Sequence, residues 1–408
     1  MGSEILRIAA EIRALQAAGR PVLDLTVGDF SPAHFPLAER LREAIHAAVD
    51  CGETNYPPAS GVPALREAIR KLYARELGLE YGVDSVIVTG GARPGIYGAY
   101  RTLCDPGDRV VYPVPSWNNN HYCHMVGALG VPVACRAEDR FLPTRSALGA
   151  ALPGARLLSL NSPLNPTGTA LDAATLGAVC DAILEENRNR DREGARPLYL
   201  LYDQVYWMLR FSGTPHVTPP KLRPEMARYT LFVDGVSKGF AATGLRVGWA
   251  VGPADIVARL SAVLGHVGAW APRAEQVATA AVLEDAAGVA AFHAGYLRKL
   301  QARLERLHRG LQEFRAGGLP VDSLAPQGAI YLAARIHPFG RRSPAGELRT
   351  NEDVRRYLLD AAGLAVVPFQ AFGVTADDGW CRLSVGAVGE REIDEALPRL
   401  AAALRALS

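Results

Sequence analysis

The chain has 408 residues, too many for one simple core, so two lobes are expected. Hydrophobic residues make up 49% and charged residues 21%, and 44 basic against 42 acidic residues leave a formal net charge of +2. That balance gives no reason to expect nucleic acid or an anionic membrane as partner, and no apolar run reaches the roughly 18 residues of a bilayer span.

The first residues, MGSEILRIAAEIRALQ, lack a basic segment followed by an apolar one, so a cytoplasmic protein is expected. The same stretch has helical period from Ser3 to Ala18, with Ile5, Ile8, Ile12 and Leu15 on one stripe. VLDLTVG (22–28) reads as a strand, and Leu37–Val49 and Ala64–Leu77 return to helical period. SVIVTGG (85–91) is a buried-type strand running into glycines, followed by a helix that stops at DPGD (105–108). RVVYPV (109–114), LLSLNSP (157–163), PLYLLYD (197–203), TLFVDGVS (230–237) and VGWAVG (247–252) continue as strands, with a helix over about 172–186. The polar run NRNRDREGARP (187–197) reads as a solvated loop. A long helix over about 287–316 precedes an α+β remainder containing AIYLAAR, LAVVPF and WCRLSVG and closing with a helix to Leu407.

Strands alternating with helices over 85–252 predict an α/β fold, with a mostly parallel sheet covered on both faces. Ligands of such sheets bind beyond the carboxyl ends of the strands. Those ends carry TGGAR (89–93), PSWNNN (115–120), NSPLNPTG (161–168), Asp203 with Tyr206 beyond it, and Ser237–Lys238. Polar, aromatic and glycine residues at five successive strand ends predict one site at one rim.

The residue types limit the chemistry. Gly90 and Gly91 before a helix free backbone N–H groups for an anion, but no GK[ST] or GxGxxG accompanies them, which weighs against a nucleotide. A carboxylate at the end of an apolar strand, Asp203, is expected to face a cation. A partly buried lysine such as Lys238 has a lowered pKa and can condense with a carbonyl. Trp117 offers a flat face for a ring. A lysine, a carboxylate, a phosphate cup and a stacking aromatic together fit pyridoxal phosphate. The six cysteines (51, 104, 123, 135, 180, 381) form no CxxC and are expected to be buried, reduced thiols. His121 and His124 have no evident third ligand, so no metal is expected.

NSPLNPTG, LYDQVY, VSKGFAATGLRVGW and the arginine of WCRLSVG, in this order, resemble the class I/II aminotransferases, the fold type I pyridoxal-phosphate enzymes. TNYPPASGVPALREAI and PQGAIYL add likeness to the bacterial aspartate and aromatic branch. The resemblance implies a seven-stranded, mostly parallel sheet in a large domain over 46–286. Residues 1–45 would form an arm and part of a smaller α+β domain completed by 287–408.

It also implies roles. Lys238 would form the imine and shuttle a proton, and Asp203 would face the pyridinium nitrogen. Tyr206 and Asn165 would bond the cofactor's ring oxygen, and Trp117 would stack on the ring. Gly91, Ala92, Ser237 and Arg246 would cup the phosphate. Arg382, with Gly28 and Asn165, would hold the substrate's α-carboxylate. Tyr56 would reach the phosphate of a neighbouring subunit, which implies a homodimer.

The implied activity moves an amino group from an L-amino acid, aspartate-like, aromatic or other, to a 2-oxo acid such as 2-oxoglutarate, in ping-pong order. A β-lyase, a decarboxylating enzyme or an oxidase using the same cofactor is the alternative reading, and a non-catalytic binding module is a further one. The chain departs from the family's pattern at GDFSPAHF, and at Ala92, where relatives often carry a lysine. Arg93, Asn118–Asn120 and Arg273 are the residues that could meet a substrate's distal end in its place.

Overall fold

A computed structural model describes residues 4–211 and 213–408, with side chains from Arg7 onward. Ser3 and the side chain of Ile5, both part of the expected first helix, lie outside the described residues. The helix itself runs Glu4–Ala17, and Ile8 and Ile12 are buried.

The strands in chain order are β1 (Leu23–Asp24), β2 (Val86–Thr89), β3 (Arg109–Val114), β4 (Leu129–Ala134), β5 (Ala155–Asn161), β6 (Tyr199–Asp203), β7 (Thr230–Gly235), β8 (Gly248–Val251), β9 (Val321–Ser323), β10 (Tyr331–Ile336), β11 (Arg342–Ser343), β12 (Gly346–Glu347), β13 (Leu364–Ala365), β14 (Val367–Pro368) and β15 (Trp380–Ser384). Seven of them form the central sheet, in the order β2-β8-β7-β6-β5-β3-β4. β3 to β7 pair in parallel, whereas β8 runs antiparallel to both β7 and β2.

This sheet is apolar on both faces, as a sheet covered by helices on each side must be. Alternate residues go to opposite sides. Val86, Val88, Val111, Leu158, Leu200 and Phe232 join one cluster with Leu65, Ile69, Leu176 and Ile183. Ile87, Val110, Leu157, Leu201 and Leu231 join another with Tyr100, Leu260 and Leu264. A second sheet, β14-β15-β10-β9, is antiparallel and has its own core. The helix Ala286–Ala316 lays Leu300, Leu304, Leu307 and Leu311 against it, and Glu390–Arg405 adds Ile393, Ala396, Leu400 and Leu404. The fold is thus α/β with a smaller α+β portion, as the sequence predicts.

Four expectations change. Residues 187–193 are not loop: the helix runs Ala173–Glu193 and ends on left-handed Gly194. Asn187 and Arg190 are buried there. The Asn187 amide donates to Leu198 O and its oxygen accepts from Leu198 N, while Arg190 pairs with Glu186 at 2.7 Å and donates to Arg196 O. These polar side chains hold the return of the chain into β6, so composition alone misreads them. VLDLTVG contributes only the two residues of β1, paired with β13. β4 is a strand that its half-exposed pattern concealed. Cys51 is exposed and Cys135 half-buried, so two of the six free thiols are not core. Among the described residues no three His, Cys, Asp or Glu side chains gather as a metal site, and no single helix is long and apolar enough to cross a membrane.

Candidate active site

The carboxyl ends of β2, β3, β5, β6 and β7 share one rim because these strands are mutually parallel. β8 is reversed, so its beginning faces that rim, and Arg246, two residues before it, arrives there. Small residues let the strands close around this point. A Cβ on Gly248 would come within 2.4 Å of the Gly91 carbonyl carbon, and one on Gly235 within 2.8 Å of Val247 O.

Lys238 lies in the short helix Val236–Gly239 that follows β7. Its Nζ donates to Gly28 O at 2.5 Å and stands 5.7 and 5.9 Å from the ring centroids of Phe30 and Tyr206. No acidic side chain among the described residues lies within ion-pair reach. Burial lowers its pKa to about 8, with Asp29 opposing and Arg382, Arg93 and Arg246 assisting. An amine in this state is partly neutral at physiological pH, which nucleophilic attack on a carbonyl requires.

Asp203 ends β6, and its carboxylate accepts from Val205 N at 3.1 Å. Burial raises its pKa to about 6, opposed by that bond and by Lys238. The expected cation is therefore not in contact; Lys238 acts on it only through space. Asp203 and Lys238 are enclosed by protein yet keep open surface, as residues lining a recess do.

Arg382, in β15, is 1% exposed. It donates to Asn165 Oδ1 at 3.1 Å and to Thr26 O at 2.6 Å, and its guanidinium carbon lies 4.7 and 4.9 Å from the Tyr331 and Phe372 ring centroids. Its Nε has no partner. A buried guanidinium without an acid and with an unsatisfied N–H is poised for an anion. Asn165 is held by Asn161, whose oxygen accepts from Asn165 N at 2.8 Å. Gly28 is compelled by its surroundings, since a Cβ there would meet the Tyr331 hydroxyl at 2.8 Å.

The turn after β2 forms a second anion cradle. Gly91 has φ +94°, and a Cβ on it would reach 2.1 Å from Arg246 Nη2. The helix Ala92–Leu103 starts there with no side chain capping it, leaving its first N–H groups free for an anion. Arg246 donates to Gly90 O at 3.2 Å and to Thr243 O at 2.8 Å. Ser237 is buried one residue before Lys238. Half-buried Trp117 carries Arg93 over its ring, 5.3 Å from the centroid.

The structure therefore brings Lys238, Asp203, Tyr206, Asn165, Arg382 and Gly28 together, with Gly91, Ala92, Arg246, Ser237 and Trp117 along the same rim. Tyr56 stands apart: it is 82% exposed and its ring packs on Trp270 at 5.5 Å. The Arg273 guanidinium is engaged by Glu53. Sequence reading gave no role to Tyr331, whose hydroxyl meets that of Tyr206 at 2.8 Å, or to Phe30 and Phe372. The signal available for Tyr331 was a phenol opening an apolar strand, where its hydroxyl needs a partner.

A lysine without an acid, a buried acid without a cation, a glycine cradle beside an arginine and an unfilled guanidinium suit pyridoxal phosphate with an amino-acid carboxylate.

Comparison with known proteins agrees. The family model described as aminotransferase class I and II matches residues 20–400. An aspartate aminotransferase of Rhizobium meliloti (strain 1021) is 34% identical over 410 residues, covering 100% of this chain and 94% of that protein. A probable aspartate/prephenate aminotransferase of Thermus aquaticus is 31% identical, covering 98% and 96%. Among solved structures, the aspartate aminotransferase from Rhizobium meliloti superposes with a TM-score of 0.90 at 33% identity, covering 100% and 97% of the two chains. That of Thermus thermophilus with maleate gives 0.87 at 28% identity, covering 99% and 97%.

Proposed function

The chain belongs to the class I and II aminotransferase family and is a pyridoxal-phosphate-dependent transaminase; from that premise we propose which residues carry the reaction and which amino acid enters it. When bound, the cofactor supplies an aldehyde for amine condensation and a protonated ring nitrogen that draws electrons from the substrate's α-carbon.

Lys238 Nζ would hold the aldehyde and, when free, would serve as the base that takes the proton from the substrate's α-carbon and as the acid that gives it back. Asp203 keeps the ring nitrogen protonated. Tyr206 and Asn165 donate to the ring oxygen, and Trp117 covers the ring face. The N–H groups at Gly91 and Ala92, with Ser237 and Arg246, hold the phosphate. Arg382, with Gly28 and Asn165 beside it, grips the α-carboxylate. The reading rests above all on Lys238, an enclosed amine bonded to Gly28 O with no acid within ion-pair distance among the described residues.

The charge balance selects the donor. Lys238, Arg246, Arg382 and Arg93 gather at this rim, and among the described residues none has an acid within ion-pair distance. The phosphate answers Arg246 and the α-carboxylate answers Arg382. Arg93, exposed and lying over the Trp117 ring, is the cation left for a second carboxylate, which favours aspartate or glutamate as donor and 2-oxoglutarate or its four-carbon analogue as acceptor. The relatives above, aspartate and probable aspartate/prephenate aminotransferases, are in keeping with this.

Exposed Tyr56 beside Trp270 is the residue a neighbouring subunit's phosphate would receive, so the enzyme is a homodimer with shared sites. The chain divides into a 46–286 cofactor domain and a 287–408 domain to which residues 1–45 return: Leu23, Leu25, Phe30 and Phe35 join the core of the second, although Leu41 packs in the core of the first. The six free thiols suit the cytoplasm.

The test is a panel of single amino acids against the loaded enzyme, followed by 2-oxo acids. Aspartate or glutamate should convert the cofactor to its amine form fastest, and Arg93→Leu should cut that preference over alanine about fivefold, the loss of one exposed ion pair at the upper end of its range. Release of pyruvate with a leaving group, or of peroxide, would make it a lyase or an oxidase instead.

A further inference from the structure

Tyr331 opens β10 with its side chain 1% exposed, between two groups of different purpose. Its hydroxyl lies 2.8 Å from that of Tyr206, and the two rings meet edge to face at 5.6 Å. Its ring lies under the Arg382 guanidinium at 4.7 Å. Its oxygen also crowds Gly28, whose carbonyl receives the Lys238 amine. One phenol thus touches the carboxylate grip, the ring-oxygen donor and the residue that anchors the lysine.

The direction of the Tyr206–Tyr331 bond follows from the neighbours. Tyr331 has no other acceptor among the described residues, whereas Tyr206 faces the recess beside Lys238. Burial raises both phenols, and Arg382 opposes that at each. With the Tyr206 oxygen as its one acceptor among the described residues, Tyr331 is placed as the donor of the pair. Tyr206 is then left with its own proton for the recess, and receiving a hydrogen bond makes it a stronger donor.

We propose that Tyr331 is a positioning residue serving both halves of the site: its ring orients Arg382 for the substrate carboxylate, and its hydroxyl strengthens Tyr206 as donor to the cofactor's ring oxygen. The proposal rests on the cofactor reading above. A stronger donor at that oxygen stabilises its anionic form, which makes the nitrogen joined to Lys238 less basic. The hydroxyl and the ring therefore control different observables.

The experiment compares the holoenzyme with Tyr331→Phe, Tyr331→Leu, Tyr206→Phe and the double variant Tyr206→Phe/Tyr331→Phe. The pH midpoint of the bound cofactor's visible absorbance and the KM and kcat for aspartate are measured for each. Tyr331→Phe keeps the ring and should raise the midpoint by roughly 0.3–0.7 pH unit, with KM changed less than about twofold. Tyr331→Leu should raise the midpoint similarly and increase KM about tenfold, as loss of a desolvated cation–π contact would. The double variant should titrate with Tyr206→Phe, because the hydroxyl acts only through Tyr206. A Tyr331→Phe midpoint equal to the parent's, a further shift in the double variant, or equal KM values for Phe and Leu would overturn the proposal. A parent protein that binds no absorbing cofactor would instead overturn the cofactor reading itself.

Discussion

Asp203→Asn should make the unloaded protein more stable while weakening its hold on the cofactor. The Asp203 carboxylate has one hydrogen bond, from Val205 N, and no cation in contact. Burial lifts its pKa from 3.8 to about 6. A shift of about two units corresponds to about 3 kcal/mol withheld from folding. The folded state holds the proton more tightly than the unfolded state. The cost is therefore absent below about pH 4, grows between about 4 and 6, and is complete above that.

Asparagine carries no charge to desolvate and keeps an oxygen for Val205 N, but it buries an amide NH2 without a partner, so a net gain on the order of 1–2 kcal/mol remains at pH 7. For a chain of this size that is a rise in Tm of roughly 1–3 °C. Loading reverses the balance, because the native carboxylate then faces a protonated ring nitrogen and the amide does not. Thermal melts of both proteins, with and without pyridoxal phosphate, at pH 4.5 and 7 test this. An unloaded variant that melts no higher than the parent at pH 7, or a difference independent of pH, would refute the assignment of Asp203 as an acid held at a cost for the cofactor.

Three further outcomes are expected. Lys238→Ala should bind the cofactor reversibly, give no tag at position 238 on borohydride trapping, and lack turnover; the unloaded parent, but not this variant, should also gain stability from about pH 8 to 10.5, because the folded state disfavours the lysine's proton across that window. Gly91→Ala places a Cβ 2.1 Å from Arg246 Nη2 at φ +94°, so cofactor affinity measured by equilibrium dialysis should fall at least about tenfold, with strain of about 1–2 kcal/mol added to the displaced arginine. Arg190→Ala leaves Glu186 without its partner and uncaps the Arg196 carbonyl; urea unfolding should show a loss of about 2–4 kcal/mol, and a loss below about 0.5 would return residues 187–193 to the status of a solvated surface.

Lys238 and Asp203 were readable as candidates because each follows or ends an apolar strand, and in a parallel sheet strand ends share a rim whatever the tertiary detail. Arg246 was legible as a motif residue but not as a rim residue: VGWAVG does not reveal that β8 runs backwards, and only that reversal brings its start to the site. Arg190 and Asn187 were misread because composition counts polarity without asking where it points. Tyr331 was hidden for the opposite reason, as one more aromatic in an apolar strand.

The stretch 22–28 shows most directly how pattern and purpose part. Its apolar alternation predicts seven residues of strand, yet β1 ends at Asp24 and backbone pairing stops after Leu25, which donates to Ala365 O and accepts from Ser384 N. The Asp24 carboxylate turns back to accept from Thr26 N at 2.9 Å and from Thr26 Oγ1 at 2.6 Å, which bends the chain out of extended register. Three successive carbonyls are thereby released from any ladder. Thr26 O accepts from Arg382, Val27 O from the Ser384 hydroxyl, and Gly28 O from Lys238. A complete strand here would have spent those acceptors on its neighbour and left two buried cations without them. The failure of the strand is what lets a segment from the start of the chain hold Arg382 and Lys238, 356 and 210 positions away, in one site.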